Sequence, residues 1–176
     1  MALTKTAIVE AAQGILEEYG LADLSMRRVA DSLGVQAGAL YYHVPNKQTL
    51  LAEIADRILA DLREVATLPE WAADLRRVLL GHRDGAELVV TTRAMGLGTV
   101  DPTGPARALV PAGPGDHVLR TFEHFVLGAT LHDQTRAQLV GIGLLAGFDL
   151  EEADEAFRSG VDILTRGVGI FIAPVA

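Results

Sequence analysis

The 176-residue sequence contains no cysteine, which excludes disulfide bonds, zinc–thiolate sites and thiol nucleophiles and is consistent with a reducing compartment. It also lacks a run of about 18 uncharged apolar residues, the length that a helix needs to cross a bilayer. The longest apolar stretch, Ala137–Phe148, is shorter and holds three glycines. The N-terminal residues lead into a segment with Glu10, Glu17 and Glu18, which is unlike a signal peptide. These absences predict a cytoplasmic protein without a membrane span.

Positive charge is also scarce, because 15 Lys and Arg residues face 23 Asp and Glu residues and the formal net charge is −8. An acidic chain is unsuited to coating nucleic acid without sequence preference. The segment 25–47 departs from this trend, because Arg27, Arg28 and Lys47 face only Asp31 there. If the chain binds a polyanion, this cationic segment is where the electrostatic potential favours the contact.

Apolar residues recur at three- and four-residue spacing along most of the chain, and no alternating strand pattern is present. The sequence therefore predicts an all-α fold. The predicted helices span residues 4–19, 25–33, 36–43, 47–65, 71–82, 86–95, 117–132 and 155–171. The stretch 96–116 is rich in glycine and proline and is predicted to be a mobile loop.

The last two predicted helices each carry an apolar seam of the kind that packs helices side by side. One seam runs from Val118 to His132 and the other from Phe157 to Phe171. We expect these two helices of two chains to form a four-helix dimer interface. The glycines expected to let the helix backbones approach closely are Gly128, Gly160 and Gly167.

The first three helices have the arrangement of a helix-turn-helix, with Gly34 supplying the tight turn before the third helix. Small residues at the start of that helix let its N-terminus approach base edges, where Gln36 can hydrogen-bond and Ala39 can meet a thymine methyl group. Aromatic and cationic neighbours can bind phosphate oxygens. The candidate DNA-binding residues are Arg27, Arg28, Gln36, Ala37, Gly38, Ala39, Tyr41, Tyr42, His43 and Lys47. Alternatively, the two arginines are solvated surface charges and Tyr41 packs on the first helix.

The run from Leu24 to Leu51, with Gly34-Val35, Leu40-Tyr41-Tyr42-His43 and Asn46-Lys47 within it, resembles the tetracycline-repressor (TetR) family. The resemblance implies phosphate contacts by Tyr41 and Lys47. It also implies an N-terminal three-helix DNA-binding domain in residues 1–50, a connecting helix over 47–65, and a helical ligand-binding and dimerisation domain over 66–176.

Residues 82–93, 123–134 and 155–167 resemble the branch of that family that binds tetracycline. Val89 and His132 stand where the branch has a histidine and a carboxylate of its magnesium–tetracycline site, and Arg63 replaces another ligand-contacting histidine. Because Mg²⁺ prefers oxygen ligands, we expect neither this effector nor a metal cofactor. The expected effector is a hydrophobic or aromatic small molecule. Its candidate contacts are Arg63, His82, Val89, Thr92, His124 and His132.

The resulting hypothesis is a homodimeric repressor that places two recognition helices about 34–36 Å apart on a palindromic operator of double-stranded DNA until an effector releases it. Activation by the same geometry stays open. An architectural DNA-binding protein without an effector is disfavoured by the acidic charge. A separate binding or enzymatic module with a vestigial reader also stays open, although no catalytic group is evident. The glycine-rich segment 141–147 follows no strand and so does not fit a dinucleotide-binding loop.

Overall fold

All regular elements in residues 2–172, the part of the chain described by this computed structural model, are helices. Side-chain surroundings are described as far as Val168. The elements are α1 (Lys5–Tyr19), α2 (Met26–Leu33), α3 (Ala37–Leu40), α4 (Lys47–Leu59), α5 (Leu68–Leu80), α6 (Gly85–Ala94), a 3-10 helix (Gly104–Leu109), α7 (Pro114–Gly141) and α8 (Leu150–Ile172). The predicted all-α fold is confirmed for this range. None of its helices is both long and apolar enough to cross a bilayer.

The chain forms two compact units that interleave in sequence. The first unit comprises Met1–Ala60 and Gly81–Val100, and the second comprises Asp61–Leu80 and Asp101–Ala176. Helices α1–α4 and α6 therefore belong to the first unit, whereas α5, α7 and α8 belong to the second. The expected assignment of function to residues 1–50 and 66–176 stays a prediction.

Side-chain caps fix the helix starts in the first unit. Thr4, Ser25 and Asn46 each accept a hydrogen bond from the backbone N–H three residues further on, at 3.1, 3.2 and 2.8 Å. These bonds satisfy donors that the first turn of a helix leaves unpaired. At the end of α2, Gly34 adopts a left-handed conformation with φ 66°, which glycine reaches without a Cβ clash. The predicted glycine turn is thus confirmed.

The third helix is shorter than predicted, because α3 covers only Ala37–Leu40 and residues 41–43 form a turn. The backbone N–H groups of His43 and Val44 both donate to the Leu40 carbonyl at 2.9 Å, which tightens the chain there. The side chains of Leu40 and Val44 are fully buried. The turn is therefore anchored from inside, and the side chains between these two anchors are exposed.

The segment that precedes α6 is tied to the end of α1. His82 Nδ1 lies 2.6 Å from Glu17 Oε1, and the backbone N–H of Arg83 donates to the same carboxylate at 3.0 Å. The carboxylate of Asp84 accepts from the backbone N–H of Leu21 at 2.6 Å. Asp84 itself has φ 55°, a conformation that costs a non-glycine residue about 1 kcal/mol or more and that these contacts help to hold.

The segment that follows α6 is fixed by a carboxylate on α4. Asp56 accepts hydrogen bonds from the backbone N–H and the hydroxyl of Thr99, both at 2.8 Å, and from the backbone N–H of Val100 at 3.0 Å. Gly98 has φ 88°, and a Cβ at that position would lie 2.9 Å from Asp56 Oδ1. The glycine is therefore needed for this close approach.

In the second unit, Trp71 of α5 is fully buried and its indole Nε1–H donates to the Pro102 carbonyl at 2.8 Å. Its ring centroid lies 6.3 Å from that of Phe122 on α7, a tilted pair typical of packed aromatic cores. Phe125 of α7 stacks on Phe157 of α8 with centroids 5.6 Å apart. A Cβ at Gly160 would lie 2.2 Å from Phe125 Cζ, so the absent side chain of Gly160 makes room for the ring.

Several predicted boundaries are wrong. Helix α4 ends at Leu59 rather than at residue 65, because the following backbone bonds to α5: the Asp61 carbonyl accepts from Arg77 at 3.1 Å and the Arg63 N–H donates to Asp74 at 2.9 Å. The predicted loop 96–116 contains the 3-10 helix Gly104–Leu109.

Helix α7 is longer than predicted at both ends and covers Pro114–Gly141. Proline near the first helical position has a backbone angle already suited to a helix. Helix α8 begins at Leu150, where the Asp149 carboxylate accepts from the backbone N–H groups of Glu151 and Glu152.

The three seam glycines differ in their surroundings. Gly160 makes room for Phe125, whereas a Cβ added at Gly128 or at Gly167 would meet no described atom from elsewhere in the chain within 4 Å. Among the described residues, no close packing neighbour therefore explains these two glycines. Phe171 of the predicted α8 seam lies outside the described side chains.

Candidate nucleic-acid interface and ligand cleft

Helices α2 and α3 form the helix-turn-helix around a buried anchor. Val29 and Ala30 of α2 and Leu40 of α3 are at most 1% exposed. The backbone N–H of Val35 donates to the Ala30 carbonyl at 3.0 Å, which closes the turn over the end of α2. Because the inward residues are apolar and packed, the relative placement of α2 and α3 is set by the core and leaves their outer faces available for contacts.

The predicted DNA-binding residues are exposed or partly exposed to solvent. Tyr42 is 92% exposed and Tyr41 50% exposed, which argues against the alternative that Tyr41 is a packing residue on α1. No side-chain hydrogen bond or ion pair is described for Arg27, Tyr41, Tyr42 or Lys47. We call these four residues the cationic–aromatic surface. The remaining candidates are exposed (Gln36, Gly38 and His43) or partly exposed (Ala37 and Ala39).

Arg28 is placed differently from its neighbour Arg27. Its guanidinium donates to Asp23 Oδ1 at 2.7 Å and lies 4.0 Å above the ring of Tyr19. A hydrogen bond and the negative charge of Glu18 raise the pKa of the Tyr19 phenol, so this ring stays neutral at physiological pH. Arg28 is therefore engaged on the α1 side of α2, and the structure does not join it to the cationic–aromatic surface.

The six predicted effector contacts are divided equally between the two units. In the first unit, Val89 is fully buried, the Thr92 hydroxyl donates to the Leu88 carbonyl at 2.8 Å, and His82 is held by Glu17. In the second unit, Arg63 and His124 are exposed.

The sixth candidate, His132, lines a cleft in the second unit of about 1060 Å³. The cleft is bordered by the second half of α7, the loop 142–149 and the first two turns of α8. Its aromatic lining is formed by Phe125, Phe148 and Phe157. We call it the α7–α8 cleft.

A buried ion-pair network lies beside the α7–α8 cleft. Arg76 of α5 is 6% exposed and donates to Asp133 at 2.9 Å and to Asp154 at 2.8 Å. Its guanidinium also lies 4.6 Å from the centre of the Phe157 ring. Arg76 and Asp133 were not among the predicted site residues. Each is a charged residue within the apolar stripe of its helix, a pattern that indicates a buried ionic contact.

A second, smaller groove of about 400 Å³ lies between the first half of α7 and the second half of α8. Its lining is mainly apolar and includes Phe122, Ile163 and Leu164, together with His117 and Thr121. Ile163 is 70% exposed, which is unusual for a large aliphatic side chain. Among residues 2–172, no three His, Asp or Glu side chains are grouped closely enough to hold a metal ion.

Comparison with known proteins shows similarity over almost the whole chain. Residues 8–54 match the family model for bacterial regulatory proteins, tetR family. The tetracycline repressor protein class A from transposon 1721 of Escherichia coli is 31% identical over 198 aligned positions, covering 94% of this chain and 90% of that protein. BioQ, solved with its natural double-stranded DNA operator, is 37% identical with a TM-score of 0.76, covering 94% of this chain and 98% of BioQ. A TetR variant from Acinetobacter baumannii AYE in complex with minocycline is 28% identical with a TM-score of 0.79, covering 98% and 99%.

Proposed function

This chain belongs to the TetR family of bacterial regulatory proteins, and on that premise we propose that it is a homodimeric repressor that a small molecule releases from a palindromic operator. As a member of this family it is a ligand-responsive, DNA-binding transcriptional regulator and not an enzyme. The finer parts of the proposal are the DNA contacts, the dimer, and the chemistry and effect of the ligand.

The observation that carries the DNA contacts is the cationic–aromatic surface. Arg27, Tyr41 and Tyr42 are exposed residues of the helix-turn-helix and the turn that ends it, and the partly exposed Lys47 begins α4. No competing side-chain partner is described for these four residues, in a chain whose net charge is −8. Because the rest of this acidic chain is repelled by DNA phosphates, a local cationic surface determines which face approaches DNA. The operator complex of BioQ, which is 37% identical, supports the same use of the motif here.

Base recognition rests on few groups. Gln36 is exposed at the start of α3 and can donate and accept hydrogen bonds with a base edge. Ala37, Gly38 and Ala39 add no polar group, so their contribution is close approach and contact with a thymine methyl group. We therefore propose that phosphate contacts supply most of the affinity, with sequence preference concentrated at the base pairs under Gln36 and Ala39.

The effector is proposed to be a hydrophobic or aromatic molecule other than magnesium–tetracycline. Minocycline is bound by the related Acinetobacter variant. In this chain, Val89 offers no metal ligand and is fully buried, and His132 offers an imidazole nitrogen instead of the oxygen ligand that Mg²⁺ prefers. Arg63, His82, Thr92 and His124 stay candidate contacts. The α7–α8 cleft, which His132 lines, favours binding in the second unit.

The dimer is proposed to form through α7 and α8. Their exposed apolar surface includes Ile163, and the apolar groove beside it favours burial against another chain. A two-fold axis there would set two recognition motifs about 34–36 Å apart, in successive major grooves. The effector releases DNA only if it binds the released geometry more tightly than the DNA-bound one.

The DNA contacts are tested with Lys47→Ala and Tyr41→Ala, measured against a duplex that the wild-type protein has enriched from a random-sequence pool. Each contact to phosphate contributes to affinity and to its salt dependence, so we expect about tenfold weaker binding for each variant. For Lys47→Ala, the slope of log K against log salt should fall by about 1 per subunit.

Arg57→Ala is the matched control, because Arg57 is a cation on the same helix, about 15 Å further along its axis, and pairs with Glu10 at 3.4 Å. We expect this variant to bind the duplex as the wild type does. Unchanged affinity in the Lys47→Ala and Tyr41→Ala variants, or an equal loss in all three, would refute the proposed surface.

A further inference from the structure

The α7–α8 cleft combines aromatic rings with an excess of carboxylates. Phe125 and Phe157 stack at 5.6 Å and form part of its wall, and Phe148 of the loop adds a third ring. Five carboxylates lie in or beside the cleft, whereas its lining has only Arg136 and His132 as basic residues and the buried Arg76 lies beside it. The carboxylates are those of Asp133, Asp149, Glu151, Glu152 and Asp154.

These carboxylates differ in whether they already have hydrogen-bond or ion-pair partners within the protein. Asp133 and Asp154 share the buried Arg76 guanidinium, and Asp149 accepts two backbone N–H groups at the start of α8. Glu151 and Glu152 are exposed, and no side-chain partner is described for either. A cation that enters the cleft would therefore meet two carboxylates that need not give up an existing partner.

The aromatic walls already attract cations from the protein itself. The Arg76 guanidinium lies 4.6 Å from the Phe157 ring centre, and that of Arg136 lies 5.7 Å from the Phe148 ring centre. Cations are drawn to the faces of aromatic rings, more strongly when water is excluded. Arg76 is fixed by two carboxylates, whereas Arg136 has only its ring contact described, so Arg136 is the cation that a ligand can displace or repel.

We propose that the α7–α8 cleft binds a flat aromatic organic cation, with its rings against Phe125, Phe148 and Phe157 and its positive charge toward Glu151 and Glu152. A neutral hydrocarbon would strip water from these carboxylates without replacing it, and an anion would be repelled by them. A volume of about 1060 Å³ accommodates a ligand of several fused rings.

The same position gives the cation a route to regulation. The cleft is walled by α7 on one side and by α8 on the other, so a ligand between them changes how these helices pack. This step rests on the proposed function, in which α7 and α8 also form the dimer. Binding of the cation does not rest on it, and the two are therefore measured separately.

Binding is tested by calorimetry on the full chain without DNA, using N-methylacridinium and its uncharged counterpart acridine at pH 8. We expect the wild type to bind the cation at least about tenfold more tightly than acridine, from the combined attraction of rings and carboxylates. Glu151→Gln combined with Glu152→Gln should remove most of this preference. Arg136→Gln should strengthen binding of the cation about threefold, because a competing positive charge is lost.

Glu155→Gln is the matched control, because Glu155 is an exposed carboxylate on α8 that does not line the cleft. It should bind the cation within about twofold of the wild type, since its charge is screened by solvent. Equal affinity for acridine and the cation, or an equal loss in the Glu155→Gln variant, would overturn the site. The site would also be overturned if the cation failed to bind, as it would if a second copy of the chain covered the cleft.

Release of DNA is then followed by fluorescence anisotropy of the selected duplex. N-methylacridinium should release the wild type but not the Glu151→Gln/Glu152→Gln variant, whereas intercalation into the duplex would release both equally. Equal release would overturn the regulatory role. If the protein binds the duplex but not the cation, the proposed cation site is refuted and the proposed repressor function stands. If it binds the cation but no duplex, the proposed repressor function is refuted and the cation site stands.

Discussion

At the scale of single residues, the neighbouring arginines Arg27 and Arg28 differ in their surroundings. Arg27 is exposed on the outer face of α2, whereas Arg28 is bonded to Asp23 and lies over Tyr19. The two arginines are alike in composition, and the sequence predicted DNA contacts for both, with solvated surface charges as the alternative. Only the direction in which each side chain leaves α2 separates them.

Replacing each arginine in turn tests this separation. Arg27→Ala should weaken binding of the selected duplex about tenfold and leave the free energy of unfolding almost unchanged. Arg28→Ala should do the opposite and lower the free energy of unfolding by about 0.5–1 kcal/mol, through loss of an exposed ion pair and a cation–π contact. Anisotropy titration and urea denaturation measure the two quantities, and an equal loss of DNA affinity in both variants would contradict the placement of Arg28.

Gly34 is required by backbone conformation rather than by space, because no described atom beyond its chain neighbours lies within 4 Å of where its Cβ would be. Gly34→Ala should destabilise the chain by about 1–2 kcal/mol, since φ 66° is costly for any residue with a Cβ. Gly14→Ala is the control and should change stability in the opposite direction. A Cβ at Gly14 also has room, but Gly14 lies within α1, where alanine stabilises the helix by about 1 kcal/mol relative to glycine. Denaturant midpoints that move in the same direction for both variants would contradict this explanation.

At the scale of elements, the helices fixed by local signals were predictable and those fixed by tertiary contacts were not. Thr4, Ser25 and Asn46 precede apolar periodicity, and each caps its helix. The early end of α4 had no such signal, because the periodicity continues beyond Leu59 while the backbone there bonds to side chains of α5. Contacts distant in sequence therefore decided the boundary.

The 3-10 helix within the predicted loop depends on a similar short network. Asp101 accepts hydrogen bonds from the N–H and hydroxyl of Thr103, at 2.9 and 2.8 Å, and from Arg107 at 3.1 Å. Burial would raise the pKa of Asp101, but these hydrogen bonds outweigh it and lower the pKa. Glycine and proline content indicated the irregular chain around this segment, but it gave no sign of the network.

Of the candidate sites, the DNA-binding surface could be predicted from the sequence, whereas most of the α7–α8 cleft could not. The DNA-reading surface is local, because all of its proposed residues lie within one short segment with a recognisable turn. The α7–α8 cleft joins Phe125 to Phe157, and a buried Arg76 from a third helix completes its surroundings. Helical periodicity gives the face of each helix but not which faces meet, so the sequence named His132 without the rest of the cleft.

Asp74 allows the tertiary anchor after α4 to be tested by pH. Burial would raise the pKa of Asp74, but hydrogen bonds from the Arg77 side chain and the Arg63 backbone N–H lower it below its ordinary value of 3.8. A carboxyl whose pKa is lowered by folding adds stability above its unfolded pKa, and that stability is lost as the pH falls through its folded pKa. Asp74→Asn should therefore cost about 1–3 kcal/mol at pH 7.

The cost of Asp74→Asn should shrink as the pH falls from about 4 through the lowered pKa of Asp74, because the wild-type protein loses the stability of the ionised carboxylate over that range. Urea denaturation at pH 7 and at pH 3 measures both values. Asp162→Asn is the control, since Asp162 forms an exposed pair with Arg166 on α8 and should cost less than about 0.5 kcal/mol at either pH. A cost for Asp74→Asn that is the same at both pH values would rule out an ionised Asp74 as the anchor.

At the scale of the whole molecule, a net charge of −8 limits how one chain can hold DNA. A single cationic–aromatic surface offers few phosphate contacts, and the acidic rest of the chain repels DNA. A single chain should therefore bind DNA weakly. Two copies joined at a fixed spacing double those contacts, and the second reader then binds at a high effective concentration. Given the acidic composition, we therefore expect useful affinity to require the proposed dimer and the surface proposed to join the two copies.

Ile163→Glu tests that surface. The side chain is 70% exposed on α8 beside the apolar groove, so a charge there is tolerated by the single chain but would be buried without a partner between two copies. Sedimentation velocity at micromolar concentration should show a monomer, and the selected duplex should bind at least about tenfold more weakly because the second reader is lost. Met95→Glu is the matched control, since Met95 is 44% exposed at the end of α6 and outside the proposed interface, and it should remain a dimer. If Ile163→Glu sediments as the wild type does, α8 does not join the copies and the spacing of the two readers must be set by another surface.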